Sequence, residues 1–307
     1  MLLLDVDPML RSLLQLVKFE HTLFALPFAL TALWLAVPLG EMPAPATVGW
    51  VLGAMVGGRT FAMALNRLID LPFDAANPRT ANRELVTGQV SQAQAWGLVV
   101  VSLAVLIACV LPLPLLCLQL LPVAILLLAG YSYTKRFTPL CHGILGIALG
   151  SSAIGGWLAH TGHWDAGLPV LLGLAVTLWV AGFDIIYALQ DEAFDRQSGL
   201  HSLPAWLGGA KALALSRGCH VATVLLLVVF ALAYSQLKGF VGWGFVAGVV
   251  IMAVLLVRQH RLVSPQNLSQ VDVAFFTLNG IASVALFTCV LVDRMAVVPW
   301  LVQRVVP

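Results

Sequence analysis

Nine stretches of this chain are long and apolar enough to demand a bilayer, and no other feature constrains the fold so tightly. They lie near residues 20–38, 48–67, 93–113, 115–131, 142–161, 167–189, 211–235, 240–257 and 273–292. Lipid offers no partner to backbone N–H and C=O groups, so a spanning segment satisfies them internally as a helix of about 20 mainly apolar residues. Composition agrees, since only 10% of residues are charged against about 25% in soluble domains. Connections are short and no low-complexity linker intervenes. The expected fold is an all-α polytopic membrane protein, with residues 1–307 forming a single transmembrane domain. The tightest turn falls at LPLPLL, 111–116, where prolines separate the third and fourth spans.

Charge orients the spans. Loops after even-numbered spans carry Arg67, Arg79, Arg83, Lys135, Arg136, Arg196, Lys211, Arg217, Arg258 and Arg261, and the N-terminal segment adds Arg11 and Lys18. Loops on the other side hold only Lys238, and the tail adds Arg294 and Arg304 as exceptions. The positive-inside rule therefore places the N-terminus and the even loops in the cytoplasm. The first apolar run mimics a signal peptide, but Asp5 and Asp7 precede it and further spans follow, so it is expected to stay as the first membrane helix. Met9, Leu10, Leu13, Leu14 and Val17 suit a preceding helix lying on the membrane surface. Five cysteines without C-x-x-C spacing read as buried thiols, and a net charge of +2 with no basic run gives no sign of a nucleic-acid partner.

Most of the acids gather at two places, both at cytoplasmic ends of spans. NRLIDLPFDAANPRTANRE closes the second span with Asn66, Asp70 and Asp74, and DIIYALQDEAFD closes the sixth with Asp184, Tyr187, Gln190, Asp191 and Asp195. Residues four apart share a helical face, so Asn66 stacks with Asp70, and Tyr187 with Asp191 and Asp195. Asp184 joins the second row two turns deeper, and Arg59 the first. Pro72 cannot donate a helical hydrogen bond, so the second span is expected to break near Asp70 and leave Asp74 on a loop. Carboxylates gathered in a low-dielectric rim repel by up to about 4 kcal/mol per pair at roughly 4 Å and an effective dielectric of about 20. Something cationic must lie between them. Oxygen ligands without His or Cys at metal spacing point to Mg²⁺, which binds through a few carboxylates plus substrate phosphates. Arg79, Arg83, Lys135, Arg136 and Arg196 suit a phosphate group. Two acidic helix ends facing one another across a metal make a diphosphate clamp. An acid within a membrane helix, such as Asp184, reads as functional by default.

These two motifs resemble the Asp-rich signatures of the UbiA superfamily of membrane prenyltransferases. YSYTKRFTPL, Tyr131–Leu140, resembles its basic loop after the fourth helix, and FEHTLFALPFAL, Phe19–Leu30, the first helix of the 4-hydroxybenzoate polyprenyltransferase-like branch. That branch includes the futalosine-pathway menaquinone enzymes. Lys18 and His21-Thr22 stand where the ubiquinone enzymes carry an Arg and a Lys-Pro pair. Arg83-Glu84 likewise stands where those enzymes usually have Arg-Pro. The departures concern the aromatic acceptor rather than the diphosphate end.

The resemblance implies about nine helices around a central cavity and transfer of a polyprenyl chain from polyprenyl diphosphate to an aromatic acid, 4-hydroxybenzoate or a dihydroxynaphthoate, in quinone biosynthesis. Mg²⁺ would be held by Asn66, Asp70, Asp74, Asp191 and Asp195, and the diphosphate by Arg59, Arg79, Lys135 and Arg136. Asp184 or Asp191 would take the ring proton, and Tyr187 would orient a carboxylate or the acceptor. Lys18 and His21 would meet the acceptor's carboxylate. The site would face the cytoplasm from the inner membrane. Gly150, Gly155, Gly156 and Gly162, with Ser151 and Ser152, are expected to serve helix packing or leave room for the prenyl chain. His201-Ser202 reads as a cap or a phosphate contact. Haem O synthase-like and ether-lipid prenyltransferases are the enzyme alternatives within the superfamily. A CDP-alcohol phosphotransferase would need a D-G-x-x-A-R pattern that is absent here, and a cation-coupled transporter would place its acids near the midplane.

Overall fold

The computed structural model describes residues 8–18 and 22–297. An amphipathic helix α1, Pro8–Leu16, precedes the bundle. The spans follow as α2 (Thr22–Ala36), α3 (Pro45–Ile69), α5 (Gln92–Val110), α6 (Leu115–Thr134), α7 (Cys141–Thr161), α8 (Leu168–Ala188), α11 (Gly209–Lys238), α12 (Trp243–Leu262) and α13 (Leu278–Val292). Three short helices, α4 (Leu71–Ala76), α9 (Glu192–Gln197) and α10 (Leu203–Leu207), sit in the loops that carry the motifs. Among the described residues, eight helices are long and apolar enough to cross a membrane. The ninth is α2, which has 15 residues like α13 but, among the described residues, lacks the flanking π-helical turns that extend α13 to a span over Val273–Met295. It rises about 22 Å at 1.5 Å per residue, less than a bilayer core.

Local chemistry sets the boundaries. Ser91 and Gln94 form a reciprocal capping box that starts α5, and Pro114 ends the 111–116 turn as the residue before α6. Gly162, at φ 68°, takes the left-handed conformation that closes α7. Pro27 stands inside α2 and Pro122 inside α6. Thr31 Oγ1 donates to the Pro27 carbonyl at 2.8 Å, so the buried hydroxyl is satisfied within its own helix.

The most buried span is α8. It packs on α7 and α11, while α2 lies between α7 and α13. Helices come this close because a Cβ at Gly150 would collide with Thr177 Oγ1 and the Gly173 carbonyl, and one at Gly156 with the Ala29 carbonyl. Gly155 differs, since a Cβ there would meet nothing within 4 Å. The core is aromatic: Phe28, Trp157, Trp179, Phe183, Phe230 and Tyr234 are buried, and Trp179 and Phe183 meet edge to face with centroids 4.9 Å apart. Outward-facing apolar side chains such as Val100, Leu126, Leu225 and Val254 are exposed, as a lipid-facing surface requires. α1 is held to the bundle by Arg67 Nε, which donates to the Leu16 carbonyl at 3.1 Å. The five cysteines are free thiols.

Candidate active site

Both acidic motifs open on one cavity of about 1200 Å³. The break at Asp70 occurs as the sequence requires, but Asp74 is not on a loop. Asp70 closes α3 at φ −90°, ψ 2°, and also starts α4. Pro72 falls at the first positions of α4, where its missing N–H would be unpaired in any residue. Asp74 N–H donates to the Asp70 carbonyl at 2.8 Å, so Asp74 is helical and buried. Similarly, the second motif is not one continuous helix. A tight 3₁₀ turn over Leu189–Asp191 separates α8 from α9, and Asp191 enters the cavity from the end of that turn and Asp195 from α9.

Every one of the four rim carboxylates has a basic partner. Arg79 grips Asp191 with two parallel bonds, Nε to Oδ1 at 2.8 Å and Nη2 to Oδ2 at 2.6 Å, the fork geometry that arginine presents to a carboxylate. Asn77 Nδ2 donates to the same Oδ1 at 2.9 Å. Arg83 Nη1 bridges both oxygens of Asp74, with Oδ1 at 2.6 Å. Lys135 Nζ lies 2.8 Å from Asp195 Oδ1. Arg136 Nη2 lies 3.6 Å from Asp70 Oδ1 and donates to the Ile69 carbonyl at 2.6 Å. Its guanidinium stands about 5 Å from the Phe73 and Tyr133 ring centroids. Asn66 Nδ2 donates to Asp70 Oδ2 at 2.7 Å and to Ser132 Oγ at 3.1 Å.

The electrostatics follow from burial and pairing. Burial, and then the neighbouring Asp74 charge, raise the Asp70 carboxyl above the ordinary range against the opposing pull of Arg136 and Lys135. Burial works against the charged form of Arg79 and of Lys135, but Asp191 and Asp195 outweigh it and hold both firmly protonated.

Of the other expected residues, Arg59 lines the cavity deeper along α3, and its Nε has no partner among the described residues. Tyr187 Oη accepts from Arg79 Nη1 at 3.2 Å, and its ring stacks on Phe275 with centroids 4.1 Å apart. Asp184 Oδ2 meets His142 Nδ1 at 2.6 Å. Lys18 lines the cavity in a left-handed backbone conformation, φ 47°. His21 lies outside the described residues. Arg196 does not join the site: it is exposed and pairs with Glu192 at 3.0 Å. Ser202 acts as a cap, its Oγ accepting from Ala205 N–H at 3.3 Å, and His201 N–H donates to the Lys135 carbonyl at 2.7 Å. Asn77, Ser132 and His142 are the additions that sequence reasoning missed. His142 carried a readable signal, an ionisable residue inside the apolar run CHGILGIALG.

Among the described residues no three His, Cys, Asp or Glu side chains converge tightly enough to cage a metal. The donors still fit Mg²⁺ in kind. They are hard oxygens on two sides of one cavity, Asp70 and Asp74 from the first motif and Asp191 and Asp195 from the second. Such an ion keeps waters and takes only one or two carboxylates, with phosphate oxygens completing its shell.

Comparison with known proteins supplies the class: this is a membrane-embedded prenyltransferase. The model of the UbiA prenyltransferase family matches residues 25–281, and the chain belongs to that family. A 4-hydroxybenzoate octaprenyltransferase of Aromatoleum aromaticum is 29% identical over 289 residues, spanning 94% of this chain and 95% of its own. One of Azoarcus sp. is 32% identical over 265 residues, spanning 86% and 91%. Among solved structures, the apo form of a UbiA homolog from Aeropyrum pernix K1 superposes with a TM-score of 0.80 at 36% identity, covering 90% of this chain and 98% of that one. A UbiA homolog from Archaeoglobus fulgidus bound to DMAPP and Mg²⁺ shares the fold, with a TM-score of 0.67 at 19% identity over 93% of this chain and 99% of that one.

Proposed function

We propose that this protein, working as one membrane domain, transfers a polyprenyl chain from its diphosphate to an aromatic acid of the 4-hydroxybenzoate or dihydroxynaphthoate type, with Mg²⁺ as cofactor. The observation that carries the reading is the two-sided rim of paired acids and bases over an apolar cavity, in a chain similar along its length to 4-hydroxybenzoate octaprenyltransferases. The Mg²⁺- and DMAPP-bound relative supports the cofactor and the diphosphate class. The basic loops favour an inner-membrane protein whose site faces the cytoplasm.

Each buried CH₂ is worth about 0.8 kcal/mol, so the prenyl tail stays among apolar side chains while the headgroup reaches the rim. Mg²⁺, held by one or two carboxylates at a time among Asp70, Asp74, Asp191 and Asp195, with Asn66 beside them, would neutralise charge on the departing diphosphate. Arg79, Arg83, Lys135 and Arg136 turn from their carboxylates toward phosphate oxygens, and Arg59 offers its unpaired Nε from below. The C–O bond breaks with its electron pair on diphosphate. A ring carbon of the acceptor attacks the allylic cation, and a carboxylate accepts the ring proton. Asp184 suits that last step better than Asp191, whose oxygens the metal would take once Arg79 turns away. Tyr187, stacked on Phe275, gives the acceptor ring an aromatic wall, and Lys18 stands at the mouth for its carboxylate.

The test is membrane-embedded protein supplied with Mg²⁺, a polyprenyl diphosphate and either aromatic acid. Prenylated product together with released diphosphate is the expected result. Neither appearing with any aromatic acceptor would sink the reading.

A further inference from the structure

His142 is not needed by the chemistry above, yet it is buried in the cavity wall with both ring nitrogens engaged. It is 3% exposed. Nδ1 lies 2.6 Å from Asp184 Oδ2, and Nε2 faces the backbone N–H of Leu203 at 3.2 Å. The second contact decides the tautomer. A backbone N–H is always a donor, so Nε2 must present its lone pair. A doubly protonated ring would set two donors against each other there. The neutral ring therefore carries its one proton on Nδ1 and donates it to Asp184. Asp184 stays a carboxylate, fixed by one oxygen, while no described side chain hydrogen-bonds its Oδ1. Both residues line the cavity.

The arrangement also spans three elements. His142 lies in the first turn of α7, Asp184 lies on α8, and Leu203 begins α10 after the second acidic motif. Cys141, the preceding residue, makes a parallel contact from Sγ to the His201 carbonyl at 3.5 Å. The loop that follows the second motif thus sets the angle at which the imidazole addresses Asp184.

We infer that His142 is a positioning residue, a neutral Nδ1–H donor that aims Asp184 so that its free oxygen accepts the proton leaving the prenylated ring. In that step the ring C–H bond breaks, its electron pair restores aromaticity, and the proton passes to Asp184 as a carboxylic acid. His142 keeps its own proton throughout. The inference rests on the proposed transfer to an aromatic acid.

Two amides separate the roles of the two nitrogens. His142→Asn places an N–H donor near the position of Nδ1, whereas His142→Gln places it near Nε2 and leaves Asp184 without one. With 4-hydroxybenzoate, a polyprenyl diphosphate and Mg²⁺ in proteoliposomes, His142→Gln and His142→Ala should lose about 10- to 100-fold in kcat, as when an orienting partner is removed. KM for the prenyl diphosphate should stay close to that of the unaltered protein. His142→Asn should recover most of the rate. Ring-deuterated acceptor should react at nearly the normal rate in the unaltered protein and clearly slower in His142→Gln, because proton removal has become limiting. Asn and Gln variants of equal rate, or a Gln variant without an isotope effect, would overturn the inference, even where His142→Ala fails to fold. Absence of product from the unaltered protein would instead overturn the transfer reading beneath it.

Discussion

Asp70 is the carboxylate whose chemistry departs most usefully from its surroundings. It closes one helix, starts another, and has the loosest basic partner of the four, at 3.6 Å. Its raised pKa means that it takes up a proton at higher pH than an ordinary aspartate, so Mg²⁺-dependent turnover should fall early on the acid side. Arg136 opposes that shift. In Arg136→Gln the acid limb of kcat/KM should therefore move to higher pH, and comparing the two proteins cancels the titration of diphosphate itself. A limb that stays in place would show that Asp70 does not set it. Asp70→Asn and Asp191→Asn should each cut turnover by about 100-fold or more while the protein still inserts. Near-normal rates at saturating Mg²⁺ would remove that carboxylate from the metal's reach. At this scale residue identities were legible and partners were not. That Arg79, from the first motif, would grip Asp191 of the second depends on two helix ends meeting across more than a hundred residues of chain, which no local spacing encodes.

The elements were legible wherever apolar length alone decided them. Each of the nine stretches contains a helix, and residues 111–114 of the expected 111–116 turn separate α5 from α6, which takes in the last two. The misses come from proline and from tight turns. Pro72 signals the end of α3 and equally the beginning of α4, and a six-residue helix buries too little surface to leave a period in the sequence. The 3₁₀ turn at Leu189–Asp191 is invisible for the same reason. Glycine roles were also undecidable from one chain, since Gly155 and Gly156 are adjacent but face different surroundings. Gly156→Leu should destabilise by about 1–3 kcal/mol, because the Ala29 carbonyl occupies the place of the new side chain. Gly155→Leu should leave stability almost unchanged. Unfolding of the two variants in detergent gives the comparison, and equal losses would mean that close approach of α2 and α7 is not what Gly156 provides.

For the molecule as a whole, the aromatic core surrounds α8 and the ionic pairs gather at the motif-bearing end. Mg²⁺ alone meets carboxylates already satisfied by arginine and lysine, so it should shift the melting temperature little. Mg²⁺ with a prenyl diphosphate should raise it well beyond either component, the added stability reaching about 2.7 kcal/mol at a hundredfold excess over Kd. Equal stabilisation by the metal alone would contradict the paired rim. The paired rim has a kinetic corollary as well. Four acids already matched to four bases form an ionic lattice in miniature, which exchanges partners as two salts do in double decomposition. On the proposed function, cation and anion would be admitted together, the carboxylates passing to one and the guanidinium and ammonium groups to the other. On this chemistry inorganic diphosphate is itself a competent guest once the metal accompanies it, and it should compete with the prenyl substrate far better in the presence of Mg²⁺ than with chelator.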